Sequence, residues 1–476
     1  MLAPVRDRTL SMKRRLSPRA PSSPALLMAA GLAAIGACRS APTGDGNHVG
    51  AGGSDGMTNG VGGSGNGTGG AATSSGGAPA TGTGGAPASG MGGMPVTGSG
   101  GATSTGGATG SGGLSGTGGA DALPTRAAIV NAMRLANDYF MAKWPDPGVP
   151  IVTDKTRASN IWTRAVYYEG LLGLYAVDPQ TRYYDYATRW GDSHTWGLNN
   201  GAATTSADDQ CAGQTYIDLY KIDAQAVRIR DIQADISLAL GVNPAAAWTW
   251  IDAVQMAMPV YARLGVLTGS ATYFDKMYAY YSYTKNTQGG SGLYNKTEHL
   301  WWRDQNFDPP YVEPNGQSCY WSRGNGWVYA ALARVLDILP ASDPHRAEYL
   351  ADFQAMSEAL RLVQRTDAYW NVSLHDPTHF PGKELTGTAL FTYGMAWGVR
   401  TGNLASAVYR PVVVNAWNAM VAASLHPNGF LGWVQGSGLQ PSDGQPVTAD
   451  SVPDFEDYGL GCFLLAGSET ARLAGP

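Results

Sequence analysis

Three aspartates lie at the starts of helical patterns, and at one of them, Asp252, a carboxylate is costly to bury unless it is used. Asp252 opens an otherwise apolar helical pattern, Trp250-Ile-Asp252-Ala-Val-Gln-Met-Ala-Met-Pro259. Burial raises the pKa of a carboxyl group, so we predict that Asp252 acts as a general acid or base. Asp208 and Asp209 stand side by side at the start of another helical pattern. Adjacent acids stabilise the amino end of a helix, which is the structural interpretation of this pair. Because one capping residue would be enough, a catalytic role is at least as strongly indicated as capping.

An arginine lies between two tryptophans in the glycine-rich stretch Tyr320-Trp-Ser-Arg-Gly-Asn-Gly-Trp327. Aromatic rings stack on sugars, the planar guanidinium matches a carboxylate, and glycine lets backbone approach a ligand closely. Most aromatic residues of the chain are ordinary core residues, but this arrangement indicates a carbohydrate site. The residues predicted here to bind substrate are Arg323, Trp321, Trp327, Trp250, Gly324 and Asn325.

The amino-acid composition divides the chain into two distinct parts. Residues 41–120 hold 32 of the 64 glycines and no Phe, Trp, Tyr, Lys or Arg, whereas every aromatic residue lies within 121–476. The part from 121 onward has a net charge of −9, which argues against nucleic acid or an anionic membrane surface as its partner. No His, Cys or Asp cluster has metal-ligand spacing and Gly324-Asn-Gly326 is not a phosphate loop, so we predict no cofactor.

The amino-terminal residues are typical of a targeting signal rather than of a folded domain. Arg14, Arg15 and Arg19 precede an apolar stretch that ends in Ile35-Gly-Ala-Cys38, which resembles a bacterial lipobox. We predict an export signal over 1–38 with Cys38 as the lipidation site, a low-complexity linker over 39–122 and a catalytic domain over 123–476. A simple export signal with an incidental cysteine is the alternative. The expected location is the cell envelope of a bacterium, periplasmic or at the cell surface, with the membrane reached only through the lipid anchor, and a secreted protein is the alternative.

Helical periodicity runs through the catalytic domain, and no long stretch alternates with period two. Capping residues and prolines bound twelve segments, with Pro259 and Pro411 inside two of them, where a kink or a later start is expected. The predicted helices lie near 124–143, 160–177, 180–192, 208–221, 224–240, 248–266, 270–286, 325–339, 345–365, 386–401, 406–424 and 456–472. Twelve helices in pairs predict an all-α fold, an (α/α)6 barrel of six helical hairpins, and a superhelical stack of repeats is the rival.

Three cysteines fall within this domain, at positions 211, 319 and 462. Their odd number and spacing match neither a metal motif nor a disulfide framework. Two alternatives stay open, which are one bridge with a free thiol and three buried small hydrophobic residues.

At these motifs the sequence resembles glycoside hydrolase family 105, the unsaturated rhamnogalacturonyl and glucuronyl hydrolases, which is related to family 88. The resemblance runs from about Trp162 to Leu473. It rests on four motifs in order, which are Trp-Ile-Asp-Ala-Val-Gln-Met-Ala from Trp250, Tyr-Trp-Ser-Arg-Gly-Asn-Gly-Trp from Tyr320, Lys383-Glu-Leu-Thr-Gly-Thr-Ala389 and Asp454-Phe-Glu-Asp-Tyr458.

The resemblance implies the (α/α)6 barrel and an unusual hydrolysis of a terminal 4,5-unsaturated uronic acid. An aspartic acid protonates C4, water adds at C5, and the resulting hemiketal opens and releases the aglycone. Asp252 matches the catalytic acid/base, and Asp208 or, with a one-residue shift, Asp209 matches the second carboxylate. The resemblance further implies that Arg323 holds the uronate carboxylate, with Trp321 and Trp327 against the ring.

Two histidines extend the predicted site where the sequence departs from the family. Gly292-Leu-Tyr294 is followed by Asn295 where better-known members carry a histidine, and His299 comes five residues after the tyrosine. The sequence therefore does not determine which residues contact the aglycone. We predict that His299 and His194 line the site. Alternative functions are an inverting glycosidase or polysaccharide lyase on the same barrel, and a non-catalytic glycan-binding lipoprotein. Uronate identity, linkage, aglycone and oligomeric state also stay open.

Overall fold

A computed structural model of the chain describes residues 122–152, 156–450 and 457–475. The predicted export signal with Cys38 and the predicted linker up to residue 121 lie outside these residues. So does the first part of the fourth motif, from Asp454 to Glu456.

The described residues form thirteen α-helices and four two-residue strands. The helices are α1 Arg126–Lys143, α2 Trp162–Val177, α3 Thr181–Ser193, α4 Ala207–Gln210, α5 Ala212–Ile222, α6 Val227–Ala239, α7 Asp252–Thr268, α8 Ala271–Asn286, α9 Ser322–Ile338, α10 Arg346–Leu362, α11 Leu385–Arg400, α12 Ser406–Ala423 and α13 Asp457–Leu473. The strands are β1 Ile151–Val152, β2 Thr156–Arg157, β3 Tyr294–Asn295 and β4 Leu300–Trp301, paired antiparallel as β1 with β2 and β3 with β4. Only Cys211 separates α4 from α5, so the helices correspond to the twelve predicted segments.

Six of the helical segments form a closed inner ring. Around this ring α2 contacts α5, the α4–α5 segment contacts α7, and α7, α9, α11 and α13 follow in order until α13 packs against α2. The intervening helices α1, α3, α6, α8, α10 and α12 each pack outside the ring against their neighbours along the chain. This closure confirms the (α/α)6 barrel, because a superhelical stack would not bring the last helix back to the second.

Glycines let the ring close between α2 and α13. A Cβ atom on Gly170 would lie 2.4 Å from the carbonyl oxygen of Gly461, and a Cβ atom on Gly461 would lie 2.3 Å from the carbonyl oxygen of Val166. Both distances are far inside van der Waals contact. Only the absence of a side chain therefore allows these two backbones to approach so closely.

Proline lies inside two of the helices without delaying their start. Pro259 is within α7 and Pro411 is within α12. A proline leaves the carbonyl four residues earlier without its helical partner. In α7 the side-chain amide of Gln214 on α5 fills this gap, because its Nε2 donates to the carbonyl oxygen of Gln255 at 2.8 Å. Both helices begin before their prolines, so neither proline marks the start of its helix.

Two further features concern the whole described chain. Cys211, Cys319 and Cys462 are free and buried, which agrees with small hydrophobic residues rather than a bridge. Within the described residues, no helix is both long and apolar enough to cross a membrane.

Candidate active site

The inner helices bring their amino-terminal ends to one mouth of the barrel. Trp162, the first residue of α2, packs with ring centroids 6.3 Å from Trp327 in α9 and 5.4 Å from Tyr458 in α13. The guanidinium of Arg323, in the first turn of α9, lies 5.1 Å over the Tyr458 ring. Helix amino ends carry partial positive charge, so a mouth of this kind favours an anionic group.

Asp252 is the first residue of α7 and lies at this mouth. Its residue surface is 9% exposed, and its Oδ2 accepts a hydrogen bond from Nε of Arg303 at 3.1 Å. Burial raises the pKa of the Asp252 carboxyl group, while the charges of Arg303 and Arg323 oppose this rise without cancelling it. A buried carboxyl group with a raised pKa can hold a proton for transfer, as the sequence prediction requires.

Arg303 connects the acids of the site. While its Nε binds Asp252, its Nη1 donates to Oδ2 of Asp304 at 2.6 Å. Burial alone would lower the pKa of Arg303, but the carboxylates of Asp252, Asp304 and Asp208 outweigh burial and raise it. Arg303 was not among the predicted site residues. The sequence offered only an arginine within the run Leu300-Trp-Trp-Arg-Asp304, and nothing local places that run beside residue 252.

Backbone pairing puts Arg303 where it is. The backbone N–H of Ile251 donates to the carbonyl oxygen of Arg303 at 3.0 Å, and an antiparallel bridge pairs Trp250 with Asp304. On the other side, the Asn325 amide accepts from the backbone N–H of Trp301 at 2.8 Å and donates to its carbonyl oxygen at 3.0 Å. Asn325 thus replaces a neighbouring strand and fixes β4 two residues before Arg303.

The two adjacent aspartates have different surroundings. Asp209 is buried and accepts hydrogen bonds from Asn199 at 3.2 Å, Asn200 at 2.8 Å and Thr204 at 2.5 Å. These contacts tie the preceding loop to α4. Asp208 is half-buried, and its charge acts on Arg303. The structure therefore places Asp208 near Arg303, which binds Asp252, while Asp209 is engaged in holding the loop.

The arginine–tryptophan motif is largely interior. Arg323 is 1% exposed, and its Nη1 and Nη2 donate to the carbonyl oxygens of Gln435 and Gly436, each at 2.8 Å. Trp321 is buried too, and its Nε1 donates to Oε1 of Gln435 at 2.9 Å. A Cβ atom on Gly324 would lie 2.9 Å from the Trp321 ring, so this glycine serves packing.

The remaining predicted residues fall into two groups. Asn325 and Trp327 are wholly buried and present no surface to a ligand, whereas Trp250 is half-buried beside Asp252. His194 is half-buried, its Nε2 lies 2.6 Å from Oγ of Ser159, and burial and the charge of Arg164 lower its pKa. His299 lies in the turn between β3 and β4, with Nδ1 3.0 Å from the Tyr294 hydroxyl. The described hydrogen bonds join neither histidine to Asp252.

The third motif is structural. Glu384 caps α11 by accepting from the backbone N–H groups of Thr386 at 2.8 Å and Gly387 at 2.7 Å. Gly387 lets α11 approach the start of α9, because a Cβ atom there would lie 2.0 Å from Oγ of Ser322. This motif therefore fixes the position of α11 against the residues that precede Arg323.

Comparison with known proteins settles the family. Residues 132–474 match the family model described as Glycosyl Hydrolase Family 88. The chain belongs to this family. Membership confirms the predicted resemblance, which named family 88 as a relative of family 105.

Individual relatives add detail. A curated protein of Formosa agariphila, named unsaturated 3S-rhamnoglycuronyl hydrolase, is 38% identical over 231 residues, which is 48% of this chain and 58% of that protein. The match thus spans less than two thirds of the relative. A solved glycosyl hydrolase family 88 structure from Bacteroides vulgatus is 32% identical with a TM-score of 0.67 over 74% of this chain and all of that chain. A solved structure titled as a polysaccharide lyase is 31% identical with a TM-score of 0.66 over 73% of this chain and 97% of that chain.

Proposed function

We propose that the protein hydrolyses oligosaccharides that end in a 4,5-unsaturated uronic acid, by hydration of the C4=C5 bond. The observation that carries the proposal is Asp252, a buried carboxyl group with a raised pKa at the mouth of a family 88 barrel. Membership of the family supports the chemistry. The half-buried Asp208 supports it further, because it supplies a second carboxylate next to the same arginine.

The reaction follows from the polarity of the substrate. The C4=C5 bond is a vinyl ether, so C4 is electron-rich and accepts the proton of Asp252 while positive charge develops at C5. A water molecule adds its oxygen at C5 and gives up a proton to the Asp252 carboxylate, with Asp208 as the nearby acceptor of a hydrogen bond from that water. The product is a hemiketal at C5. Its ring opens to a ketone at C5 and a hemiacetal at C1, and the hemiacetal collapses to an aldehyde and releases the aglycone as an alcohol that keeps the glycosidic oxygen.

A polysaccharide lyase is the second candidate, since one relative at 31% identity is titled in that way. A lyase would remove a proton at C5 with a neutral base and would create the unsaturated bond. His194 and His375, both half-buried and both with a lowered pKa, are candidates for such a base. The two functions therefore predict opposite changes in the ultraviolet absorbance of the conjugated C4=C5 uronate.

The test uses that absorbance with residues 121–476 and a panel of substrates. The panel contains lyase-generated disaccharides from rhamnose-containing uronans, pectins and glycosaminoglycans, together with the intact polysaccharides. We expect absorbance to fall on a disaccharide in which the unsaturated uronate is joined to rhamnose, because the Formosa agariphila relative is named for that class. A rise on an intact polysaccharide would establish the lyase instead, and binding without any change would establish a glycan-binding protein.

We further propose that Cys38 carries a lipid and holds the enzyme at the cell envelope. Support comes from the sequence alone, in which a basic and apolar segment ends in Ile35-Gly-Ala-Cys38 and a glycine-rich stretch follows. The full chain should partition into detergent when expressed in a bacterium, and Cys38→Ala should partition into water. Equal partitioning of both proteins would leave a simple export signal as the correct interpretation.

A further inference from the structure

The one-turn helix α4 carries Asp208, and a carboxylate from another helix binds the chain on both sides of it. We propose that Asp235, on the outer helix α6, is a positioning residue that holds Asp208 where it meets the attacking water. This inference rests on the proposed function, in which Asp208 accepts a hydrogen bond from that water.

Asp235 binds the α4 turn at two points. Its Oδ1 accepts a hydrogen bond from the backbone N–H of Thr205 at 2.7 Å, and its Oδ2 accepts one from Nε2 of Gln210 at 2.7 Å. Thr205 lies three residues before Asp208 and Gln210 lies two residues after it, so one carboxylate fixes both ends of the turn. Because α6 packs outside the ring that contains α4 and α5, these bonds also tie the outer helices to the inner ones.

The α4 turn depends on a partner outside itself. It has only four residues, too few for a helix that is stable alone, and Ser206 before it makes no side-chain cap hydrogen bond. Thr205 has a φ of 51°, a left-handed conformation that is costly for a β-branched residue. Asp209 holds the preceding loop, but its described side-chain contacts reach only to residues 199–204. The two bonds to Asp235 are therefore the side-chain contacts that span Asp208.

The burial of Asp235 indicates that its carboxylate is used. The residue is fully buried, and the Thr205 and Gln210 donors are both neutral, so its charge gives up hydration without gaining an ionic partner from them. Burial raises the pKa of Asp235, and the hydrogen bonds from Thr205 and Gln210 oppose this rise. An apolar side chain would avoid the cost of burial but would leave the Thr205 N–H without this partner.

Any effect of Asp235 on the reaction has to pass through α4. The charge of Asp208 acts on Arg303, and Arg303 binds Asp252, so the position of α4 sets how the second carboxylate stands relative to the acid. Asp235 itself bonds α4 and the residue before Ser206, and it lies on the outer helix. A turn that relaxes without Asp235 would move Asp208 away from the water at C5.

The test is a double-mutant cycle between Asp235 and Asp208. Asp235→Ala removes both hydrogen bonds, so we expect kcat on the unsaturated disaccharide to fall about ten- to a hundredfold, the effect of a catalytic group displaced by about 1 Å. KM should change less than about threefold, because Asp208 acts on the water rather than on the sugar. In an Asp208→Asn background the same change should alter kcat by less than about twofold, because the group that Asp235 positions is already lost.

A conservative variant separates the position of the turn from the charge that holds it. The Oε1 atom of Gln210 is buried without a hydrogen-bond partner among the described residues, so its amide can turn and accept from the side chain of Asp235→Asn. Both contacts then survive as neutral hydrogen bonds, and kcat should return to within about threefold of the wild type. Asp275→Asn, a matched change at an exposed position on the outer helix α8, should keep the wild-type kcat and KM.

Hydrogen exchange checks the turn independently of catalysis. Well below the melting temperature, exchange over residues 199–210 should speed up in Asp235→Ala and stay close to the wild-type rate in Asp235→Asn. Should Asp235→Ala not fold, Gln210→Ala repeats the cycle with one of the two contacts removed.

The possible results are distinct. If Asp235→Ala keeps the wild-type kcat, or lowers kcat equally with and without Asp208→Asn, Asp235 does not position Asp208. Unchanged exchange over residues 199–210 in Asp235→Ala would also overturn the inference. If the wild-type enzyme consumes the double bond of no unsaturated disaccharide, the proposed function itself fails.

Discussion

Replacing Asn325 with alanine should disturb the site without touching any residue that meets substrate. The Asn325 amide makes three hydrogen bonds in the interior, from the Trp301 N–H at 2.8 Å and to the carbonyl oxygens of Trp301 and Trp321, each at 3.0 Å. Each bond contributes about 1 kcal/mol net, and a buried backbone group left without a partner costs about 1–3 kcal/mol. In Asn325→Ala the backbone N–H and the carbonyl oxygen of Trp301 both lose the Asn325 amide as their partner. We therefore expect the free energy of unfolding to fall by roughly 3–5 kcal/mol.

This loss converts into a change of melting temperature. Unfolding entropy is about 2 cal/mol/K per residue, so for roughly 350 folded residues the melting temperature should fall by about 4–7 °C. Differential scanning calorimetry on residues 121–476 measures it, with Asn403→Ala as the control, because the Asn403 amide bonds only a neighbouring exposed hydroxyl. Because β4 leads directly to Arg303, kcat/KM should fall as well, measured well below the melting temperature. Unchanged melting and unchanged kcat/KM in Asn325→Ala would refute the claim that this amide replaces a strand and positions Arg303.

Three further predictions follow from single contacts. Asp208→Asn should lower kcat on an unsaturated disaccharide at least about tenfold with little change in melting, whereas Asp209→Asn should mainly lower the melting temperature, and the reverse pattern would exchange their roles. Gly387→Ala puts a methyl group against Ser322 and should destabilise the fold by about 1–3 kcal/mol in urea unfolding, and an unaffected midpoint would contradict that contact. The raised pKa of Asp252 keeps its protonated form above the usual carboxyl range, so kcat/KM should fall as pH rises through that raised pKa, and a profile without this limb would remove Asp252 as the acid.

Local sequence signals were sufficient for the helices. Apolar periodicity and capping residues gave twelve segments whose bounds differ from the structure by a few residues, since both signals are local. Helix α7 was harder to predict, because it continues through Pro259. The amide of Gln214 on α5 supplies the hydrogen bond that the proline cannot make. That partner is distant in the chain, so no local pattern could show that the helix continues.

The site was predicted only in part, for the same reason. Asp252 carries a local signal, a single acid in an apolar helix start, and the structure gives it the buried position that this signal predicts. Arg303 lies 51 residues away and reaches Asp252 through backbone pairing, which residue types do not reveal. The sequence also could not distinguish Trp327 as an interior ring from a ring at the surface. Burial of that kind depends on the closure of six helices.

The most direct test of hydration at the C4=C5 bond follows the reaction in deuterated water. With the wild-type enzyme, loss of the C4=C5 absorbance should coincide with the entry of a single deuteron on one face of C4, and release of the aglycone should follow. In Asp252→Asn, with the fold checked by circular dichroism, deuteron entry and absorbance loss should be slowed about a hundredfold or more. Release of the aglycone while the absorbance persists, or stereospecific deuteration at the wild-type rate in Asp252→Asn, would contradict the proposed chemistry.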